Sequence, residues 1–195
     1  MPETNINHLP DQLENDHRRI LRLMYLLNRE LDKFVGLKTG NHNDDQVLEI
    51  LDYIQSYPEA WHHPVEDIIF KQLLTKASVN HLDVEELLHA HPRLEALSAQ
   101  IAYVFDENQA ANTVPSPQAM RLARQYHEEQ ISHIHAEHSI FLLIGKLFSD
   151  VDGDEVNAKV ASQFKYRDSP SIDEDYILRC ESITNKHVFT GTGLH

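Results

Sequence analysis

The sequence predicts an all-α protein, an up-down-up-down four-helix bundle with one or two short C-terminal helices. Only six glycines occur in 195 residues, a composition that favours helices over sheets. Apolar residues recur at the three- and four-residue spacing of a helix face in four long stretches. Short connections separate these stretches, and helices joined by short connections pack as antiparallel neighbours.

The first two helical patterns cover residues 10–35 and 44–73. The first is expected to end before a glycine and a polar loop, which together make a common helix C-terminus. Pro58 and Pro64 interrupt the second pattern, because each removes a backbone amide donor and crowds the preceding turn. Two collinear helices and one kinked helix both fit this pattern, with the kink close to His62.

The third and fourth patterns have clear starts. Asn80 or Asp83 caps the third helix, and a loop at residues 107–115 follows it. Ser116 caps the fourth helix and Pro117 lies in its first turn, both common choices at these positions. We expect residues 1–150 to form the bundle and residues 151–195 to form a short helical extension packed on it, with helices near 156–164 and 172–183.

The charge and composition exclude several classes of partner. The net charge of −14 argues against nucleic acid and an anionic membrane, which both require a basic surface. The N-terminus lacks the features of a signal peptide, and no apolar stretch has transmembrane length. Cys180 is the single cysteine, which suits a reducing compartment. We therefore expect a cytoplasmic protein, whose oligomeric state the sequence does not indicate.

Histidines and glutamates lie on the predicted inward faces of all four helices. His62 and Glu66 are four residues apart and share one face of a helix. His133 and Glu137 repeat this spacing inside an apolar stripe. Buried imidazoles and carboxylates are costly unless something satisfies them, and a transition metal is the usual solution. The candidate metal ligands are His17, His62, Glu66, His91, His133 and Glu137.

The chemistry of these six residues restricts the metal. Four imidazoles and two carboxylates without a thiolate suit iron, zinc or manganese better than copper(I) or a structural zinc finger. Two carboxylates that can both bridge favour two metal ions, joined further by an oxide or hydroxide. About one coordination position per metal would stay open, which indicates small-molecule chemistry rather than a purely structural site.

The pattern His, His-x-x-x-Glu, His, His-x-x-x-Glu resembles the hemerythrin-like (HHE cation-binding) family. Residues 14–20 (ENDHRRI) and 62–67 (HHPVED) are similar to that family's motifs on helices one and two, and the resemblance covers about residues 10–150. It implies a four-helix bundle around a non-haem di-iron centre, with the four histidines as terminal ligands and the two glutamates as bridges. Family members bind or sense dioxygen, respond to nitric oxide or peroxide, or handle iron in iron–sulfur repair.

The sequence departs from the oxygen-carrying hemerythrins on helix three. Those proteins have two histidines four residues apart there, whereas His91 is followed at that spacing by Glu95. The missing histidine leaves more open coordination, which weakens the case for simple reversible oxygen carriage. Glu95, Tyr25 or Tyr126 are candidates to fill the gap. On helix four, the carboxylate is a glutamate four residues after its histidine instead of an aspartate five residues after.

Other histidines are expected outside the ligand set. His63 and Asp67 form a second pair one step around the helix from His62 and Glu66, and we interpret them as outer contacts or surface residues. His89 and His135 are expected to face solvent.

Four functions remain open at the sequence level. The first is a di-iron protein that binds dioxygen, nitric oxide or peroxide for sensing, storage or detoxification. The second is an enzyme on the same site, which turns over peroxide or nitric oxide or delivers iron. The third is a metal-free structural bundle. A ferritin-like carboxylate site ranks below these, because its Glu-x-x-His spacing occurs at Glu14/His17 and Glu59/His62 but not on helix four.

Overall fold

The computed structural model describes residues 9–35, 45–164, 178–183 and 185. These residues form helices and turns without any strand, which confirms the predicted all-α class. The predicted loop after residue 35, and residues 172–177 of the last predicted helix, lie outside the described residues. No helix in the described part combines the length and apolar character that a membrane crossing requires. The helices are α1 Leu9–Lys33, α2 Asp45–Ser56, α3 His63–Leu73, α4 His81–Ala111, α5 Pro117–Leu147 and α6 Asp150–Gln163.

Two of the predicted caps form as expected. The Ser116 hydroxyl oxygen accepts from the Ala119 amide at 3.1 Å, and the Asn80 side chain accepts from the backbone at the start of α4. The prediction of a loop from residue 107 was wrong, because α4 continues to Ala111. It ends where Asn112 adopts the left-handed conformation (φ 51°), a common way to end a helix.

A π-helical turn, Pro58–His62, joins α2 to α3. The amide of His63 donates to the carbonyl of Pro58, five residues earlier. One such turn holds one residue more than an α-helical turn, and π-turns are frequent at functional sites. The kink that the two prolines predict near His62 therefore lies at this turn.

The core consists of two apolar clusters with polar residues between them. The first cluster includes Ile20, Ile54, Leu94 and Ile134, and the second includes Leu13, Val65, Leu87 and Ile140. Along the chain, α1 passes from the second cluster to the first, and the segment formed by α2 and α3 passes back. The helices α4 and α5 repeat this alternation. In each of the four segments, the predicted metal ligands lie at or next to the point where the chain changes from one cluster to the other.

Helix α6 extends the bundle and packs on α3. It is longer than the predicted helix at 156–164, because Ser149 and Asp152 form a capping box at its start. Gln72 Nε2 donates to Asp152 Oδ1 at 3.0 Å, and Lys76 Nζ lies 2.6 Å from the same oxygen. The residues after position 150 thus include a helix that is tied to α3 by buried polar contacts.

Candidate metal centre

The six residues that the sequence predicts as metal ligands come together in one buried layer. Each is at most 6% exposed. Residues of the two apolar clusters flank these positions along the chain. His17 is on α1, His62 ends the π-helical turn, Glu66 is on α3, His91 is on α4, and His133 and Glu137 are on α5.

One side of this layer, the His17 side, contains His17 and His62. His17 Nε2 and His62 Nε2 both lie 3.0 Å from Oε1 of Glu66. His17 Nε2 also lies 3.2 Å from Oε2 of Glu137. Two imidazole nitrogens and one oxygen from each of two carboxylates therefore face a common point.

The opposite side, the His91 side, contains His91 and His133. His133 Nε2 lies 3.0 Å and His91 Nε2 lies 3.3 Å from Oε1 of Glu137. His91 Nε2 also lies 3.5 Å from Oε2 of Glu66. Each carboxylate thus offers one oxygen to the His17 side and its other oxygen to the His91 side.

These separations match those of neighbouring ligands on one metal ion. Two donor atoms that are each about 2.1 Å from a metal, at a right angle, are about 3.0 Å apart. Some of these atoms have no hydrogen-bond partner in spite of the short distances: among the described residues, His133 Nε2 and Glu137 Oε2 are two such atoms. Buried polar atoms without a partner are costly, and one cation on each side of the layer would satisfy them. The cluster fits a metal site.

His63 belongs to the His91 side, where sequence reasoning did not place it. Its side chain is 2% exposed, and its ring stacks on that of His91 at 4.4 Å with an interplanar angle of 3°. Donor atoms of His63, His91 and His133 lie within 4.8 Å of one another. Neither ring nitrogen of His63 has a hydrogen-bond partner in the described part of the chain. Its burial contradicts the surface position that we allowed for His63, while the alternative of an outer contact stays untested.

His63 was missed because neighbouring residues of an α-helix are about 100° apart, and only His62 was expected to face the centre. Here His62 is the last residue of the π-helical turn and His63 is the first of α3, and both are buried. The two imidazoles face opposite sides of the same layer, so a layer with two sides accepts both neighbours. The available signal was the histidine pair beside Pro64 in a segment that two prolines interrupt.

Carboxylates outside the centre contact the other ring nitrogens of two histidines. Asp67 Oδ1 lies 2.8 Å from His91 Nδ1. Asp16 Oδ2 lies 3.5 Å from His62 Nδ1 and accepts from the Tyr57 hydroxyl at 3.0 Å. Carboxylates in this position fix the ring orientation of a metal-binding histidine and raise its basicity.

Neighbouring carboxylates raise the pKa of three histidines in the metal-free protein. Burial lowers each of these pKa values, but the carboxylates beside the rings outweigh this effect. Both glutamates raise the pKa of His17. Glu66 and Asp16 raise that of His62, and Asp67 together with both glutamates raises that of His91. The pKa rises from 6.5 to about 10 for His17, about 9 for His62 and about 11 for His91. The imidazolium charges in turn lower the pKa of Glu66 and Glu137, although burial opposes this.

The structure rules out one candidate for the extra ligand and does not support the other two. Tyr25 is 68% exposed, because it lies on the outer face of α1, so the suggestion that it is an inward ligand was wrong. Tyr126 is fully buried, and Glu95 Oε1 lies 3.7 Å from His63 Nδ1. Glu95 is part of no potential ligand group among the described residues, and Tyr126 belongs to the first apolar cluster.

The remaining polar residues agree with the sequence analysis. His89 and His135 are exposed, as expected. Glu14 and Glu59, which define the ferritin-like alternative, are absent from the ligand groups found in the described residues. Glu59 instead accepts a hydrogen bond from Ser98.

Comparison with known proteins identifies one family. The sequence model of the hemerythrin HHE cation binding domain matches residues 8–143, which include all of the candidate ligands. No curated protein and no solved structure matches the chain.

Proposed function

The chain belongs to the hemerythrin HHE cation-binding domain family, and we propose that it is a non-haem di-iron protein. It would bind dioxygen, nitric oxide or peroxide at open iron positions, for sensing, storage or detoxification. The proposed scaffold is the up-down-up-down four-helix bundle, which the alternating passage of the helices between the two apolar clusters supports.

The observation that carries the proposal is the shared use of Glu66 and Glu137. Each has one oxygen near the nitrogens of the His17 side and the other near those of the His91 side. A carboxylate placed in this way can bridge two metal ions, and two such carboxylates define a pair of neighbouring positions. Six nitrogen and oxygen donors without a thiolate favour iron, with zinc and manganese as the nearest rivals.

The protein would hold the two ions in different ways. His17 and His62 would bind one ion, while His91, His133 and His63 would bind the other. Asp16 and Asp67 would keep the rings of His62 and His91 oriented. When bound, the iron pair supplies positions for a small exogenous ligand and the capacity to change oxidation state.

The buried charges argue against a metal-free structural bundle. Without metal, the core would bury five imidazoles and two carboxylates between apolar clusters. Among the described residues, several of their nitrogen and oxygen atoms would have no hydrogen-bond partner. Such an arrangement is expensive. Its presence is explained if a pair of cations neutralises the carboxylates and coordinates the nitrogens.

Metal content and the visible spectrum of the purified protein test this proposal. We expect about two irons per chain and the absorption of a bridged di-iron centre. Glu137→Ala should lower the metal content strongly, whereas His135→Ala, which changes an exposed histidine on the same helix, should not. Full helicity and an unchanged melting temperature after chelation, without bound metal beforehand, would contradict the proposal.

A second experiment separates binding from catalysis. The iron-loaded protein is mixed with peroxide or nitric oxide in the presence of a reductant, and product is followed over many equivalents. Stoichiometric and reversible uptake without turnover supports the binding function. Sustained turnover would assign the site to an enzyme.

A further inference from the structure

A cavity of about 380 Å³ lies between α3, α4 and the end of α6, next to the His91 side. Polar and charged residues form much of its lining. His63 and His91 border the cavity, and both belong to potential ligand groups. The cavity therefore reaches the candidate metal centre. The residues used below are Asp67, Lys71, Leu88, Glu95 and Gln163, which also line it.

We propose that this cavity is the route by which divalent iron enters the centre, and that Glu95 and His63 are its first binding residues. This inference rests on the proposed function. Glu95 is partly exposed, and its Oε1 lies 3.7 Å from Nδ1 of the buried His63. A cation bound by Glu95 would therefore be next to an imidazole that already belongs to the His91 side.

His63 is suited to receive a cation. Its ring is buried and stacks on that of His91. In the described part of the protein neither of its nitrogens is engaged in a hydrogen bond. A cation can therefore use a nitrogen lone pair of His63 without breaking a hydrogen bond.

The size and charge of the cavity agree with this role. A water molecule takes about 30 Å³ in the liquid, so an ion with six waters needs roughly 180 Å³, which the cavity provides. The lining carries the carboxylates of Asp67 and Glu95 together with the ammonium of Lys71 and the imidazole of His91. Asp67 is already paired with Lys71 at 2.9 Å and with His91 at 2.8 Å. Glu95 is therefore the carboxylate of the lining that is left to attract a cation, and the chain as a whole is strongly acidic.

The rate of metal uptake tests the role of Glu95. Metal-free protein is mixed with ferrous iron in the absence of oxygen, and bound iron is measured against time by rapid desalting and elemental analysis. We expect Glu95→Gln to slow uptake about fivefold, since a divalent cation some 8 Å from one carboxylate in water is favoured by roughly that factor. The final iron content should stay at the wild-type level.

Glu85→Gln is the matched control, because it makes the same change at an exposed position of α4 outside the cavity. Equal uptake rates in Glu95→Gln and Glu85→Gln would overturn the inference and leave the di-iron proposal intact. A lower final iron content in Glu95→Gln would also overturn it, since Glu95 would then be a ligand. No iron uptake by the unaltered chain would refute both proposals.

Leu88→Trp provides a second, independent variant, because the larger side chain narrows the cavity without changing charge. We expect slower uptake than in the unaltered chain at all salt concentrations, whereas the effect of Glu95→Gln should shrink as salt increases. Uptake of Leu88→Trp at the wild-type rate would overturn the assignment of this cavity as the route. Far-ultraviolet circular dichroism verifies that both variants are folded.

Discussion

The two sides of the candidate metal centre share their carboxylates but differ in their imidazoles and surroundings. The His17 side has two histidines, whose outer contacts are with a buried aspartate and the ring of Phe141. The His91 side has three histidines and borders a polar cavity. The His17 side is therefore more enclosed and has fewer nitrogen donors. The His91 side has more nitrogen donors and lies closer to solvent.

This difference bears on the histidine that α4 lacks. Helix α4 contributes one histidine to the layer, and the residue four positions later is Glu95, which is partly exposed. The third imidazole of the His91 side comes instead from α3, as His63 directly beside His62. Under the proposed function, His63 would provide the donor that a second histidine on α4 would otherwise provide.

Loss of a shared carboxylate should have the largest effect. Glu66→Ala removes one oxygen from each side and leaves imidazolium groups without their counter-charge, so we expect almost complete loss of bound metal. His62→Ala removes a donor from the His17 side only and should lower the metal content by about one ion per chain. Elemental analysis after dialysis distinguishes the two outcomes. Retention of one tightly bound ion in Glu66→Ala would contradict a shared role for this residue.

The pH dependence of metal binding should also be large. Three histidines with a raised pKa carry protons at pH 7 in the metal-free protein, two on the His17 side and one on the His91 side. Metal must displace them, so binding at pH 7 should release about three protons per chain and the apparent affinity should increase with pH up to the range of about 9 to 11. Calorimetry in buffers of different ionisation enthalpy measures the release.

The stability of the metal-free protein should depend on pH in the opposite way, because the same protons stabilise its fold. A raised histidine pKa contributes stability that is fully present below the ordinary value of 6.5 and is lost as pH increases through about 9 to 11. The chelated protein should therefore have a lower melting temperature at pH 10 than at pH 6.5. A release of no protons, together with a melting temperature that does not fall, would show that these histidines are neutral before metal binds.

Replacement of the outer aspartates should affect one side at a time. We expect Asp67→Asn to weaken metal binding on the His91 side about 10- to 100-fold, and Asp16→Asn to do the same on the His17 side. Titration with a competing chelator resolves the two affinities. Asp106→Asn, at an exposed position of α4, is the control. Equal losses on both sides from either variant would mean that the sides are not separate in their outer contacts.

The smallest effect is expected at Tyr57, whose hydroxyl donates to Asp16 at 3.0 Å. Tyr57→Phe keeps the ring and removes this hydrogen bond, so the metal-free protein should lose about 1 kcal/mol of unfolding free energy. Urea denaturation measures the change. Tyr103→Phe removes an exposed hydroxyl and should be nearly neutral. An equal effect of the two variants would remove Tyr57 from the support of the His17 side.

The parts of the site that follow helical periodicity could be predicted from sequence. His17 falls between apolar residues of one stripe, and His133 and Glu137 fall inside another, so their burial follows from the 3.6-residue repeat. His63 could not be placed in this way, because it lies one residue off the stripe that contains His62 and Glu66, and hydrophobic spacing does not show that the layer has a second side for it. The assignment of the six predicted residues as ligands stays a proposal.

The start of α6 was missed for a different reason. We expected this helix at about residues 156–164, although Ser149 and Asp152 have the spacing of a capping box. Acidic residues in the first turn also favour a helix start. Here the signal was present in the sequence.

Because of the position of α6, the candidate metal ligands and part of the cavity wall come from different parts of the chain. Gln163, the last residue of α6, lines the cavity but lies outside residues 8–143 that match the family. The ligands come from within the matched residues, whereas part of the cavity wall comes from beyond them. In evolution, substitutions or length changes in this C-terminal helix could alter access to the His91 side while selection keeps every metal-binding residue unchanged.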